Sequence, residues 1–368
     1  LSIAAGGADL TIGVAPNDGT LTPTAAGGEL GLANNNADST LTVNAVLADN
    51  TSPSSFTKYG AGPVVLAATN TLSGPVAISQ GTLNLLHGLT LQNASLASAG
   101  VTFDAAVANR AFTLGNLTNS FTLPLLNTAA EPITLAVGNN GGNSLFGGVI
   151  SGGGSLAKIG AGTLTLSGAS TYNGGTDIRS GTLATGVAGG LGTGPVTNNA
   201  TLNLTGGAVT YTALGTTLAG AGTVNVTLGT GTAQTALNGD YSNFTGTWNI
   251  GVGAASGAGK AQMNGADNAD ATINVLENAT LYVSQPALHQ AAAVLYGGTT
   301  GETYGQLRLE GSAEWAGPVT LVGDCLDPSK GFFGSNSGTG TISGAVSDLG
   351  GAHPVNKVGG GVFALANP

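Results

Sequence analysis

The chain has 368 residues, with 8 basic and 18 acidic side chains that together make 7% of it, against roughly 25% charged residues in an ordinary soluble domain. That scarcity thins out charge-based chemistry. A net charge of -10 with no Lys/Arg cluster excludes a nucleic-acid partner, because a phosphate backbone would be repelled.

Hydrophobic residues make 41% of the chain and glycine 64 positions, so there is enough apolar side chain to oppose chain entropy, and disorder is not expected. Glycine follows no three-residue period, which excludes collagen. Every apolar run is broken by Gly, Asn, Ser or Thr before it could cross a bilayer as a helix. Aromatics make only 5% and are not spaced as the girdles of a membrane barrel. A single cysteine, Cys325, leaves no partner for an internal disulfide. The first residue is Leu1, with no basic and apolar leader behind it, so any export signal is expected to have been removed or to lie outside this segment.

In chain order, residues 56–83 realign without a gap on 156–183. Lys58, Gly60, Ala61, Gly62, Leu66, Thr71, Gly74, Ile78, Gly81, Thr82 and Leu83 recur as Lys158, Gly160, Ala161, Gly162, Leu166, Thr171, Gly174, Ile178, Gly181, Thr182 and Leu183. The Lys-x-Gly-Ala-Gly core is too specific for composition alone, so this is a repeat. A looser copy covers 218–250, with Phe244 and Ile250 answering Tyr172 and Ile178 after an insertion. A third, truncated copy covers 355–368, opening at Val355 and carrying Lys357. Each unit has a glycine cluster, a short alternating run such as Thr163-Leu164-Thr165-Leu166, an Asn/Ser/Gly turn and a second run. That alternation has the period of a half-buried strand. Gly-Pro-Val recurs with its proline where a strand begins and the missing N–H does least harm. One helical turn, Gln290–Leu295, is the only helical expectation.

Short strands between glycine turns suit a sandwich, a barrel or a solenoid, and the repeat selects the solenoid. In a coiled parallel sheet equivalent residues lie above one another about 4.8 Å apart. Leu, Val and Ile then fill the inside, Thr, Ser and Asn cover the outside, and glycines take positive-φ corners. One coil needs roughly 20 to 30 residues. The expectation is an all-β parallel helix, with 1–368 forming one continuous elongated rod.

Residues 154–183, with Lys158, Gly160, Gly162, Tyr172, Gly174 and Gly181-Thr182-Leu183, resemble the passenger-associated repeat of bacterial autotransporters, also called the autotransporter-associated β-strand repeat. Residues 56–83 depart from the motif at Pro63 and Pro75. The resemblance implies a right-handed parallel β-helix, exported across the outer membrane or displayed at the cell surface. It carries no catalytic residues and transfers no site.

Catalytic, cofactor and metal residues are accordingly all expected to be none. His87, His289 and His353 stand in no recognised motif and read as turn or surface residues. One Cys and three scattered His lack zinc-ligand spacing, and no G-x-S-x-G elbow is present. Asp324 and Asp327 around Cys325, and Asp267 with Asp270, are the acids a polysaccharide-cleaving groove would draw on. No arginine accompanies either pair, and Asp in glycine-rich sequence is a turn former. Cys325 reads as a small buried residue. Lys58, Lys158 and Lys357 read as corner residues whose stems lie over apolar surface. Tyr172, Phe244 and Trp248 read as packing against a neighbouring coil rather than stacking on sugars. The sequons at Asn93, Asn225 and Asn278 follow from Asn/Thr abundance.

The functional expectation is a non-catalytic extracellular scaffold, a stalk or fibre segment in adhesion or surface structure. Its partners would be glycans, surface proteins or further copies of itself joined end to end or laterally. A carbohydrate-active β-helix enzyme, lyase or hydrolase, is the alternative.

Overall fold

The computed structural model describes residues 1–211, 217–286, 288–325 and 329–366. Asp327, and Pro368 at the end of the third repeat copy, lie outside the described residues. The chain divides into two compact units, Leu1–Thr182 and Leu183–Pro368, and in each the strands stack in parallel as coils of a β-solenoid. No described residue is helical. Antiparallel pairing among the described residues is confined to isolated bridges such as Asn50 with Ser52.

In the first unit one face runs through Glu29–Asn34, Ser55–Tyr59, Pro75–Ile78, Leu91–Leu96, Ala111–Leu117, Thr134–Val137 and Ser155–Lys158, each hydrogen-bonded to the next. A second face runs from Leu10–Ile12 through Leu41–Val43, Val64–Leu66 and Leu83–Leu85 to Val101–Phe103, where that sheet ends. Strands resume on a separate sheet at Ser144–Phe146. The alternation predicted from Thr and Leu is realised in side-chain direction. In Thr163–Leu166 both leucines are buried and both threonines face outward. Coil length varies, from the 18 residues separating Leu83 and Val101 to the 31 separating Ser2 and Ala33.

The core is a set of ladders. Leu41, Val64, Leu83 and Val101 stand in register in the first unit, and Val43, Leu66, Leu85 and Phe103 beside them. In the second unit Leu202, Val224, Trp248, Ile273, Ala293 and Val319 form one ladder. Trp248 is fully buried, with Tyr241 and Phe244 meeting it edge-on at 5.1 and 5.6 Å. Each fully buried large side chain stabilises the fold by about 1.5–3 kcal/mol relative to exposure. Stacking therefore repeats a modest gain many times.

Two expectations are corrected. Gln290–Leu295 forms no helical turn: Ala292–Leu295 is a strand paired in parallel with Thr272–Val275. Ala293 and Leu295 point inward there, so the ladder overrides alanine's helix preference. In the looser copy, Ile250 does not answer Ile178. Ile178 pairs with Lys158, whereas Ile250 pairs with Val226 in the strand after the glycine corner, the place Leu166 holds in the better copy.

The corners explain the glycines. Gly60 and Gly160 take φ of 78° and 68°, a left-handed conformation that costs an L-residue roughly 1–2 kcal/mol. A Cβ at Gly160 would also stand 1.9 Å from the carbonyl oxygen of Gly138 in the preceding coil. Gly160→Ala is expected to destabilise the chain by more than about 2 kcal/mol, read from denaturant midpoints. A change within about 0.5 kcal/mol would contradict the close-stacked corner.

Candidate functional site

The repeat lysines lie inside the corners rather than on them, which corrects the surface-stem reading for the two complete copies. Lys58 and Lys158 are 0% and 1% exposed and occupy inward positions at the ends of their strands, in register with Ile78 and Ile178 of the next coil. Lys158 Nζ donates to the carbonyls of Ile159 at 2.7 Å, Gly160 at 2.8 Å and Ser180 at 3.1 Å. Lys58 Nζ donates to Gly60 and, at 2.8 Å, to Gln80. Each ammonium thus ties its own glycine corner to the corner of the coil above. The glycine turn makes this possible, since it points several carbonyls at one place. Lys357 donates to Gly359 and Gly361 in the same local pattern, but is exposed. Burial pushes the Lys158 ammonium down to about 8, and the carbonyl acceptors oppose that shift.

The structure pairs acids and histidines that sequence spacing left apart. His289 is no surface residue: it is fully buried, with Nδ1 2.9 Å from Asp267 Oδ2 and its ring stacked on Trp315 at 5.0 Å. Asp267 Oδ1 also accepts the Gln290 and Ala291 N–H groups at 2.6 and 3.1 Å. A dyad of catalytic appearance is therefore a core clamp between successive coils, with no path for a substrate. Asp270 is not drawn into it and is exposed. His353 is more accessible in its surroundings. Its Nδ1 bonds Asp348, its N–H donates to Asp348 at 2.8 Å, and its Nε2 stands 3.9 Å from the largely exposed Asp324. The hydrogen bonds from His353 hold the Asp348 carboxyl below its ordinary range. Burial pushes the Cys325 thiol up to about 12, so it is an inert buried thiol. His87 is exposed, and its Nδ1 lies 3.2 Å from the Leu89 N–H.

Tyr172, Phe244 and Trp248 are fully buried and pack in the core, as expected. The sequon asparagines are engaged: Asn278 accepts the Thr299 N–H at 2.7 Å, and Asn225 donates to Asn203 at 2.9 Å. A charge cluster that the sequence reading missed sits on the second unit. Arg308 lies between the rings of Tyr282 and Tyr304 at 4.4 and 4.2 Å. It pairs with Glu302 at 2.6 Å and Glu310 at 2.8 Å, and Lys260 reaches Glu302 at 2.7 Å. Its charges neutralise one another, and it ties the loop after Tyr296 to the sheet. Glu302, Tyr304, Arg308 and Glu310 lie close together in sequence, but Lys260 and Tyr282 join them from other coils, and no short motif announces that meeting.

A groove of about 680 Å³ lies on the first unit, a volume typical of ligand sites. Leu86, His87 and Leu89 from the loop after Leu83–Leu85 form one wall, and Val107, Asn109 and Thr113 another. The second loop is shaped by its own polar residues: Asp104 accepts the Ala106 N–H at 2.8 Å and Asn109 the Ala111 N–H at 3.2 Å. These Asx turns hold an apolar wall open to solvent. The groove can take an uncharged ligand group, with no Asp, Glu, Lys or Arg in its lining.

Residues 56–85 and 156–184 match the family model described as the passenger-associated-transport-repeat. Over 262 residues, 67% of the chain, it is 31% identical to a protein named "Adhesin BmaC autotransporter" from Brucella suis biovar 1 (strain 1330). The chain spans 7% of the length of that curated relative. No solved structure matches. The repeats and the relative identify the chain as an autotransporter passenger region carrying passenger-associated repeats, a class secreted to the cell surface or the extracellular space.

Lys158, inside the second matched repeat, supplies a pH test. Lysines in the unfolded chain titrate near 10.5 and Lys158 near 8, so as pH falls the unfolded state takes up this proton first. Stability from this site therefore declines as pH falls from 10.5 to about 8 and is constant below. Lys158→Met leaves corner carbonyls without their donor and is expected to cost about 1–3 kcal/mol at neutral pH. The gap to the native chain should widen as pH rises through that window. Parallel stability profiles in denaturant titrations would contradict the lowered pKa of this buried lysine.

Proposed function

We propose that this adhesin-like passenger region is a non-catalytic β-helical scaffold that carries a recognition groove, acting as a stalk or fibre segment in attachment to a surface. The groove between the 86–90 and 104–110 loops carries the reading. There two loops leave the regular coil and leave apolar side chains open to solvent, with Leu89 40% exposed. The relative's name as an adhesin supports the same class. So does the use made of chemically capable side chains, since Lys58, Lys158, Asp267 and His289 are spent on joining coil to coil. Host or environmental surface molecules are the partners this reading calls for, and self-association along or beside the coils belongs to it as a variant. The second reading, a polysaccharide lyase or hydrolase, would draw on His353 between Asp324 and Asp348.

Binding of the labelled chain to cell monolayers and matrix-protein coats tests the first reading. Leu89→Asp with Val107→Asp is expected to lower retention at least about tenfold, as charges placed in an apolar contact do, with an unchanged melting profile. Undiminished retention would remove the groove. Turnover of a polysaccharide panel, lost in Asp324→Asn or His353→Ala, would replace the scaffold reading by the enzymatic one.

A further inference from the structure

The second unit carries a periodic polar grid. Four successive coils read Thr201-Leu-Asn203-Leu, Thr223-Val-Asn225-Val, Thr247-Trp-Asn249-Ile and Thr272-Ile-Asn274-Val, all in parallel register. In every one the apolar residues are buried while the threonine and asparagine face outward. Two rows result, with about 4.8 Å between coils and about 6.6 Å between the rows. The pattern stops at the next coil, where Ala292 and Val294 take the two places.

The asparagines are locked together. Asn225 donates to Asn203 at 2.9 Å, Asn249 to Asn225 at 2.8 Å and Asn274 to Asn249 at 2.8 Å. This ladder accounts for the amide row structurally, but does not exhaust it. Each interior amide keeps a second N–H and a further lone pair. The four threonine hydroxyls have no hydrogen-bond partner among the described residues, and nothing in the stacking of the coils requires Thr in place of Val at those sites. The grid is thus a rigid, uncharged array of unspent donors and acceptors at fixed intervals along the coil axis. On a chain of net charge -10 it would disfavour an acidic polymer.

We infer that this Thr/Asn grid binds a neutral polysaccharide lying along the coil axis, whose regularly spaced hydroxyl groups meet the threonine hydroxyls and the free amide valences. The inference rests on the adhesive reading and gives that reading a ligand class at a second surface, separate from the groove. Individually weak hydrogen bonds gain by repetition, because once one sugar is bound the next is held at high local concentration.

Retention of the purified chain on insoluble cellulose, chitin and mannan tests it. The expected result is retention on at least one of them, reduced about tenfold or more by Thr223→Val with Thr247→Val. These outward substitutions keep shape and β-propensity, so the melting profile serves as the control for folding. Retention unaffected by the double substitution would overturn the inference. So would absence of retention on all three, and if binding to protein-coated surfaces persisted in that case, the adhesive reading would stand with a protein partner instead.

Discussion

Parallel stacking of one coil on the next is the constraint from which the other features follow. Each coil offers its backbone to the coil above, at a separation of about 4.8 Å, and that spacing decides what can occupy each position. Inward side chains meet their counterparts directly, which is why Leu, Val and Ile repeat down the ladders and why Trp248 is followed two coils on by Ala293. Outward side chains meet theirs too. Uncharged Thr and Asn are compatible with such columns, whereas like charges in register would repel. The low charge content is thus a consequence of the fold.

Corners impose the second condition. A coil that turns sharply against its neighbour leaves no room for a Cβ, as at Gly160, and gathers carbonyl oxygens with no strand to satisfy them. The repeat answers with a buried lysine. Its ammonium reaches two or three of these carbonyls in two adjacent coils. Lys-x-Gly-Ala-Gly is therefore one device: the glycines make the turn and the lysine closes it. Asp267 and His289 do comparable work elsewhere, joining consecutive coils through a carboxylate that also accepts two backbone N–H groups.

Much of the fold was legible in the sequence because its signal is local and repeated. The Thr-Leu alternation gave strand and face, the realigned copies gave stacking, and Gly60 and Gly160 gave the corners. What was not legible depends on which residues end up in neighbouring coils. Lys158 reads as a surface residue until the corner carbonyls close around it. His289 and Asp267 lie 22 residues apart and meet only because one coil takes about that many. Arg308 finds Tyr282 in the same way, in register from the preceding coil, while Tyr304 is its neighbour in sequence. The groove beside Leu89 and Val107 forms where two loops of adjacent coils face one another, and neither loop announces this alone. Ile250 resembles Ile178 in local sequence for the converse reason: an insertion places it on the other face of the coil while leaving its neighbours familiar.

Cross-linking tests coil-on-coil stacking most directly. In a Cys325→Ser background, Thr247→Cys with Thr272→Cys places two thiols on adjacent parallel strands in register, within the reach of a disulfide. Mild oxidation is predicted to join this pair quantitatively and to leave Thr247→Cys with Asn274→Cys, displaced by two residues along the strand, largely reduced. Failure of the registered pair to close, or equal closure of both pairs, would contradict the parallel solenoid.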